Sequence, residues 1–269
     1  MKFSCDKYVL QQAAASAARA AAAKSPIPTL EGLLIEAGAS VRITGYDLKK
    51  AIYTTIDADI PEPGSVLIGA RLFCEMLRRM PDGIVTVEAE NGTVSVKCGK
   101  AAFNLVGLSA DDYPDLPVVE AENGVSLPQD LLKKMINECS FAVSTNESRP
   151  VYMGTLFEIA HNELTMVSVD GYRLALRRYL PEESLERTLK FVAPAAALKE
   201  VEKILGDTED PATFYPGSKH ILFTIGDATL VCRILEGEFL DWRRVLPQNN
   251  PVKLVGNVSR LTDSIERVG

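Results

Sequence analysis

The chain repeats itself, and a repeat of this length constrains most of what it can fold into. Pro28-Thr-Leu-Glu-Gly32-Leu-Leu-Ile-Glu36 reappears as Pro150-Val-Tyr-Met-Gly154-Thr-Leu-Phe-Glu158, with proline, glycine and glutamate each displaced by 122 residues. Gly45-Tyr46-Asp-Leu48 matches Gly171-Tyr172-Arg-Leu174 at a displacement of 126, which assigns four extra residues of the second copy to the loop around 161–163. Asp112-Tyr113-Pro114-Asp115 matches Glu238-Phe239-Leu240-Asp241, again at 126. Three matches in order imply tandem modules. Their boundaries are expected in the 118–124 linker and near 247–251, giving modules over 1–121 and 122–248 and the start of a third over 249–269. In that last piece Val258, Leu261, Ile265 and Val268 keep helical spacing. A lone amphipathic helix has nothing against which to bury its apolar face, so the expectation is a chain cut short within a third copy.

Each copy has the same expected anatomy: a helix (6–24 and 128–141), strands, and a second helix (70–80 and 194–205). Pro194 opens the last of these and Gly206 ends it. Val85-Thr-Val-Glu and Thr93-Val-Ser-Val-Lys97 alternate in hydropathy around Asn91-Gly92, the dipeptide a type I′ hairpin requires. Asp170-Gly171 is a second candidate turn. The fold class is therefore α+β.

Basic residues gather on the predicted helices although the chain as a whole carries a net charge of −7. Over 70–80, Leu72, Phe73, Met76, Leu77 and Met80 form one stripe, which turns Arg71 and Arg78 outward with Arg79 on the flank. Lys199 and Lys203 share the outward face of 194–205, and Arg19 lies opposite Val9, Leu10 and Ala13. Taken singly, these are solvated helix faces. If equivalent helices of repeated modules line one surface, they add up to a positive track suited to phosphates and indifferent to base sequence. The five cysteines are odd in number, without C-x-x-C, and the two histidines are distant, so a disulfide framework or zinc site is not expected. The alanine tract is too short and too weakly apolar for a membrane span, and Asp6 argues against a signal peptide; a cytoplasmic protein with reduced thiols is expected.

The start MKFSCDKYVLQQAAASA, the segment Lys24-Ser-Pro-Ile-Pro-Thr-Leu, SADDYPDLP, GTLFEIAHNELTMVSVDGYRLA and GEFLDWRRVLP together resemble the bacterial DNA sliding clamp family, the beta subunits of DNA polymerase III. The resemblance implies three similar domains per chain, and a homodimeric ring of six, with helices lining the hole and antiparallel sheets outside. Such a ring encircles duplex DNA without sequence specificity and tethers the polymerase as a processivity factor, with no bond chemistry and no cofactor. On matching positions Lys24 and Arg71 would face DNA. A peptide groove for the polymerase III catalytic subunit, the clamp loader and other proteins with clamp-binding motifs would take Tyr152, Gly171, Tyr172, Arg173 and Leu174 as one wall and Leu240, Arg244 and Val245 as another. Tyr172 stands where histidine is common and Leu240 where proline is common. Phe103 and Leu105 would meet the third domain of a neighbouring chain. Without most of that domain, these 269 residues are expected not to close the normal two-chain ring.

Two rivals remain. One is a peptide-binding scaffold with no DNA role. The other is an α+β hydrolase using Asp170 and His161, although no G-x-S-x-G, P-loop, G-x-G-x-x-G or H-E-x-x-H is present. Asp111, Asp112 and Asp115 read as a turn cluster rather than a metal site.

Overall fold

The computed structural model describes residues 1–122, 124–181 and 188–268, so one residue of the expected 118–124 linker and the terminal glycine lie outside the described residues. It comprises two units, Met1–Glu238 and Phe239–Gly269. Within the first unit the first copy runs β1 (Lys2–Asp6), α1 (Lys7–Ala18), β2 (Gly32–Ala37), β3 (Val41–Tyr46), β4 (Lys50–Ile56), β5 (Asp59–Glu62), β6 (Gly64–Gly69), α2 (Ala70–Arg79), β7 (Ile84–Glu90), β8 (Thr93–Cys98) and β9 (Ala101–Leu108). The second runs β10 (Val125–Pro128), α3 (Gln129–Ser140), β11 (Gly154–Ala160), β12 (Glu163–Val169), β13 (Leu174–Tyr179), β14 (Leu189–Pro194), α4 (Ala195–Ile204), β15 (Pro211–Pro216), β16 (His220–Ile225) and β17 (Ala228–Arg233).

All strand pairs are antiparallel. One sheet of thirteen strands has the order β10-β15-β16-β17-β4-β3-β2-β6-β9-β8-β7-β1-β5, and a second has β13-β12-β11-β14. The large sheet crosses from one copy to the other where β17 pairs with β4, from Ala228 opposite Thr54 to Cys232 opposite Lys50. The helices pack on these sheets over two apolar clusters, one around Phe3, Leu10, Ile35, Phe73 and Leu77 of the first copy, the other around Leu132, Phe157, Phe191, Phe214 and Phe223 of the second with Ala20 and Ile52 of the first. The alanine tract has a packing reason. Ala13, Ala14, Ala17 and Ala20 are buried, and small side chains let α1 lie close to the sheet. So does Gly45, where a Cβ would collide with the Ala17 carbonyl.

The first helix is shorter than the 6–24 expected. Asp6 is its N-cap, accepting from the N–H groups of Tyr8 and Val9 at 2.8 and 3.3 Å, and Arg19 is its C-cap, which leaves Lys24 on the following loop. The Asn91-Gly92 hairpin forms with both residues at positive φ, 48° and 75°. His161 and Asn162, at 53° and 62°, make a two-residue turn of the same kind between β11 and β12. That tight turn has no room for four extra residues and corrects the alignment of the copies. Tyr46 faces Ala51 and Val169 faces Leu174, so the true counterpart of Asp47 is Asp170, 123 residues on. Gly45-Tyr46-Asp-Leu48 therefore corresponds to Ser168-Val169-Asp170-Gly171, and the match to Gly171-Tyr172-Arg-Leu174 is three residues out of register. The offset grows further along the chain, reaching 125 at Gly69 and Pro194, which face Gly32 and Gly154, and 127 at Ala101 and Ala228, which follow the last turns.

In the second unit, Asp241 caps the short helix α5 (Trp242–Val245), and Asn257 caps α6 (Val258–Glu266). Val258, Leu261, Ile265 and Val268 are all exposed.

Candidate nucleic-acid interface

The helices form a row. α1 packs on α2 and α3 on α4. Across the two copies, Tyr8, Gln12, Ser16 and Arg19 of α1 and its cap share one cleft of about 380 Å³ with Lys203 and Ile204 of α4. The sequence α2–α1–α4–α3 thus brings Arg71, Arg78 and Arg79, then Arg19, then Lys199 and Lys203 onto successive elements, and all six are exposed. Their charges are not equivalent. Arg79 is held by Glu75 at 2.7 Å and Lys203 by Glu200 at 2.9 Å. Arg19, Arg71, Arg78 and Lys199 make no ion pair among the described residues, nor does Lys24 on its loop. A cation without a neighbouring carboxylate keeps its full attraction for a phosphate, on the order of 1 kcal/mol at contact distance in water.

Periodicity alone misplaced some apolar residues. Leu72 is 60% exposed while Phe73, Met76, Leu77 and Met80 are buried, and Val9 is likewise exposed. Tyr8, also exposed, went unremarked in the sequence, yet its signal was there: Tyr8, Gln12, Ser16 and Arg19 recur at helical spacing on the polar side of α1. Tyr8 lines the same cleft as Arg19 and Lys203, with Asp227 the carboxylate among them.

The second candidate region is the turn between β12 and β13. Asp170 accepts from the N–H groups of Tyr172 and Arg173 at 2.9 and 3.0 Å, and Arg173 closes the turn with an ion pair at 2.8 Å. Those two backbone bonds, then the guanidinium, hold the Asp170 carboxyl below its ordinary pKa. Gly171 supplies the left-handed residue the turn needs, with φ 94°. Tyr172 is fully exposed, and the Arg173 guanidinium lies 5.6 Å from the Phe141 ring centroid. Leu174 is half-buried at the start of β13. Tyr152 ends a 3-10 turn at Pro150–Tyr152, and the register of β11 on β12 runs it toward the Asp170 turn. In the smaller unit Leu240 is half-buried, Val245 is exposed, and Arg244 pairs with Asp241 at 3.0 Å.

Between β6 and β8, β9 pairs with β8 over Ala101–Val106 but with β6 only at Gly107 and Leu108. Phe103 is 43% exposed there, whereas Leu105 packs partly on the first core. His161 and Asp170 fall at opposite ends of β12, roughly 20 Å apart by strand rise, and Asp170 is already engaged with its own turn, so they make no catalytic pair. Ser109 Oγ donates to Asp111 at 2.8 Å, a local turn. All five cysteines are free thiols, four of them buried, and burial pushes Cys5, Cys139 and Cys232 up to about 12. No described helix is long and apolar enough to cross a membrane.

Residues 1–117 match the family profile of the DNA polymerase III beta subunit, N-terminal domain, and residues 126–241 match that of its central domain. The beta sliding clamp of Bacillus subtilis is 32% identical, the match covering 99% of this chain and 73% of that protein. That of Staphylococcus aureus is also 32% identical, over 93% of this chain and 68% of its own. The crystal structure of the DNA polymerase sliding clamp from Bacillus subtilis superposes with a TM-score of 0.96 over 99% of this chain and 73% of that one. The beta subunit from the DNA polymerase of Streptococcus pyogenes, 28% identical, gives 0.93 over the same shares.

Proposed function

This chain belongs to the bacterial beta sliding clamp family, and from that premise we propose that its helix row is the DNA-facing lining of a clamp that encircles duplex DNA and tethers the replicative polymerase. The single observation that supports this most is the cleft in which Arg19 of the first copy and Lys203 of the second lie together, because it makes two modest helix charges parts of one track. Arg19, Lys24, Arg71, Arg78 and Lys199 are the principal phosphate contacts in this reading, with Arg79 and Lys203 contributing less because each already has a carboxylate partner. Weak, exchangeable contacts of this kind hold the protein to the backbone while allowing it to slide, and none reads bases. The protein performs no bond chemistry and acts in the cytoplasm as an accessory to DNA polymerase III.

The chain organisation we propose is a first module over 1–121, a second over 122–248 and the start of a third over 249–269. Tyr152 and the Gly171–Leu174 turn are proposed to receive partner peptides from the polymerase catalytic subunit and the clamp loader. Leu240, Arg244 and Val245 are proposed as peptide contacts in their own right. The half-open β9 edge, with Phe103 and Leu105, supports a role in joining one copy to the next in a homodimeric ring.

Retention on DNA tests the central claim. Loaded with its third module complete, the clamp is expected to stay on closed circular duplex and to be lost when the same circle is cut, since a ring escapes only over a free end. Equal loss from both forms would overturn the reading. In equilibrium binding, Arg71→Gln with Arg78→Gln is expected to flatten the log–log salt dependence by about two, one for each phosphate contact removed.

A further inference from the structure

We propose that the cleft between the β3–β4 turn and the segment following β17 is a peptide-binding site, and that its occupant is a short acidic peptide with apolar side chains. The cleft has a volume of about 690 Å³, within the roughly 300–1,000 Å³ typical of ligand sites. Pro150, Pro194, Ala197, Ile234 and Leu235 give it an apolar lining, and Leu48 lies against it from the turn.

Leu48 is the residue that marks the cleft as a site. Its φ is 69°, in the left-handed region that a bulky side chain avoids. It is also 51% exposed, so core burial does not offset the unfavourable conformation. The second copy shows that the turn does not require it. Asp47 accepts from the N–H groups of Lys49 and Lys50 at 2.9 and 2.8 Å, as Asp170 does from Tyr172 and Arg173, and the residue equivalent to Leu48 is Gly171. A strained leucine kept against an apolar cleft, where its twin turn uses glycine, has the character of a ligand contact.

Charge selects the occupant. Of the cations around the cleft, Lys50 is neutralised by Asp47 at 2.6 Å and Arg233 by Glu236 at 2.6 Å, which leaves Lys49 without an ion pair among the described residues. Ala196 and Ala197 also belong to the first turn of α4, which no side chain caps, so its partial positive charge adds to that of Lys49. An apolar lining with one unpaired lysine at its rim fits leucine-like side chains beside a carboxylate.

The test titrates two probes, Ac-Glu-Leu-Glu-Leu-Glu-NH2 and Ac-Lys-Leu-Lys-Leu-Lys-NH2, into the protein, followed by calorimetry and backbone amide shifts. The acidic probe is expected to saturate with shifts at Leu48, Lys49, Ala197 and Leu235, and the basic probe to give none. Leu48→Gly, which removes the left-handed strain, is expected to leave Tm unchanged or raise it while weakening the acidic probe about tenfold. A lowered Tm with undiminished binding would assign Leu48 to the fold and overturn the proposal. So would equal responses to the two probes, absence of saturation, or shifts confined to Gly171–Leu174.

Discussion

β9 and β17 are the same strand of the two copies, yet they live in different surroundings. β17 is paired on both sides, with β16 and with β4, and Leu230 on it is fully buried. β9 has β8 on one side and, over Ala101–Leu105, no paired strand on the other among the described residues, so the equivalent residue Phe103 remains 43% exposed. One sequence position thus serves as core in one copy and as rim in the other. The repeat supplies the strand, but what occupies its outer edge depends on which neighbour the chain brings to it.

The largest expected effect follows from this contrast. Leu230→Ala should lower stability by about 3 kcal/mol, whereas Phe103→Ala should change it by less than about 1 kcal/mol in denaturant melts. Equal losses would mean that β9 is as enclosed as β17 and would break the comparison. Next comes the helix above the sheet. Gly45 lies under the Ala17 carbonyl, while its counterpart Ser168 bonds to Thr155 at 2.9 Å in a buried position. Gly45→Ser should therefore cost about 2 kcal/mol through overpacking, against about 1 kcal/mol for Ser168→Ala through the lost hydrogen bond, sharpening the idea that α1 lies closer to its sheet than α3 does.

Thiol reactivity ranks lower. Cys74 is the least buried of the five, and its pKa, raised to about 11, is below the 12 or so of Cys5, Cys139 and Cys232. A disulfide reagent at neutral pH is expected to react slowly overall and first at Cys74, with the second copy's two cysteines protected until unfolding. The smallest effect is that of acid on the β12–β13 turn. Because the folded Asp170 carboxyl titrates below its unfolded value, its contribution is present above the ordinary carboxylate range and is lost as pH falls through the folded value. A side-chain carboxyl NMR titration should place its midpoint below that of a free aspartate; a normal midpoint would show the turn to be open in solution.

Much of this was legible in the residues. The four long helices lie within the spans expected, because their apolar stripes and the Pro194 cap are local signals. The Asn91-Gly92 hairpin is a local signal too. Leu72 and Val9 were misplaced because a helical stripe has soft edges, and whether a flanking residue is covered depends on the neighbouring element, whereas Lys24 falls on a loop because the first helix ends at its Arg19 cap. The mismatch of Gly45-Tyr46 with Gly171-Tyr172 has another cause. Similar letters fell near equivalent turns, but antiparallel pairing sets register residue by residue, and Asp47 and Asp170 are aligned by the ladders on either side.

By itself, the sequence determined that there are two copies of one module, that each is built of amphipathic helices on antiparallel strands, and that basic residues gather on the polar faces of those helices. These are properties of periodicity and composition, which neighbouring residues carry. Only the tertiary structure decided that β17 pairs with β4, that Arg19 and Lys203 share a cleft, and that Leu48 is held in a left-handed turn where its counterpart is glycine. Each of those depends on contacts between segments far apart in the chain, and no local pattern records which distant strand or helix will arrive.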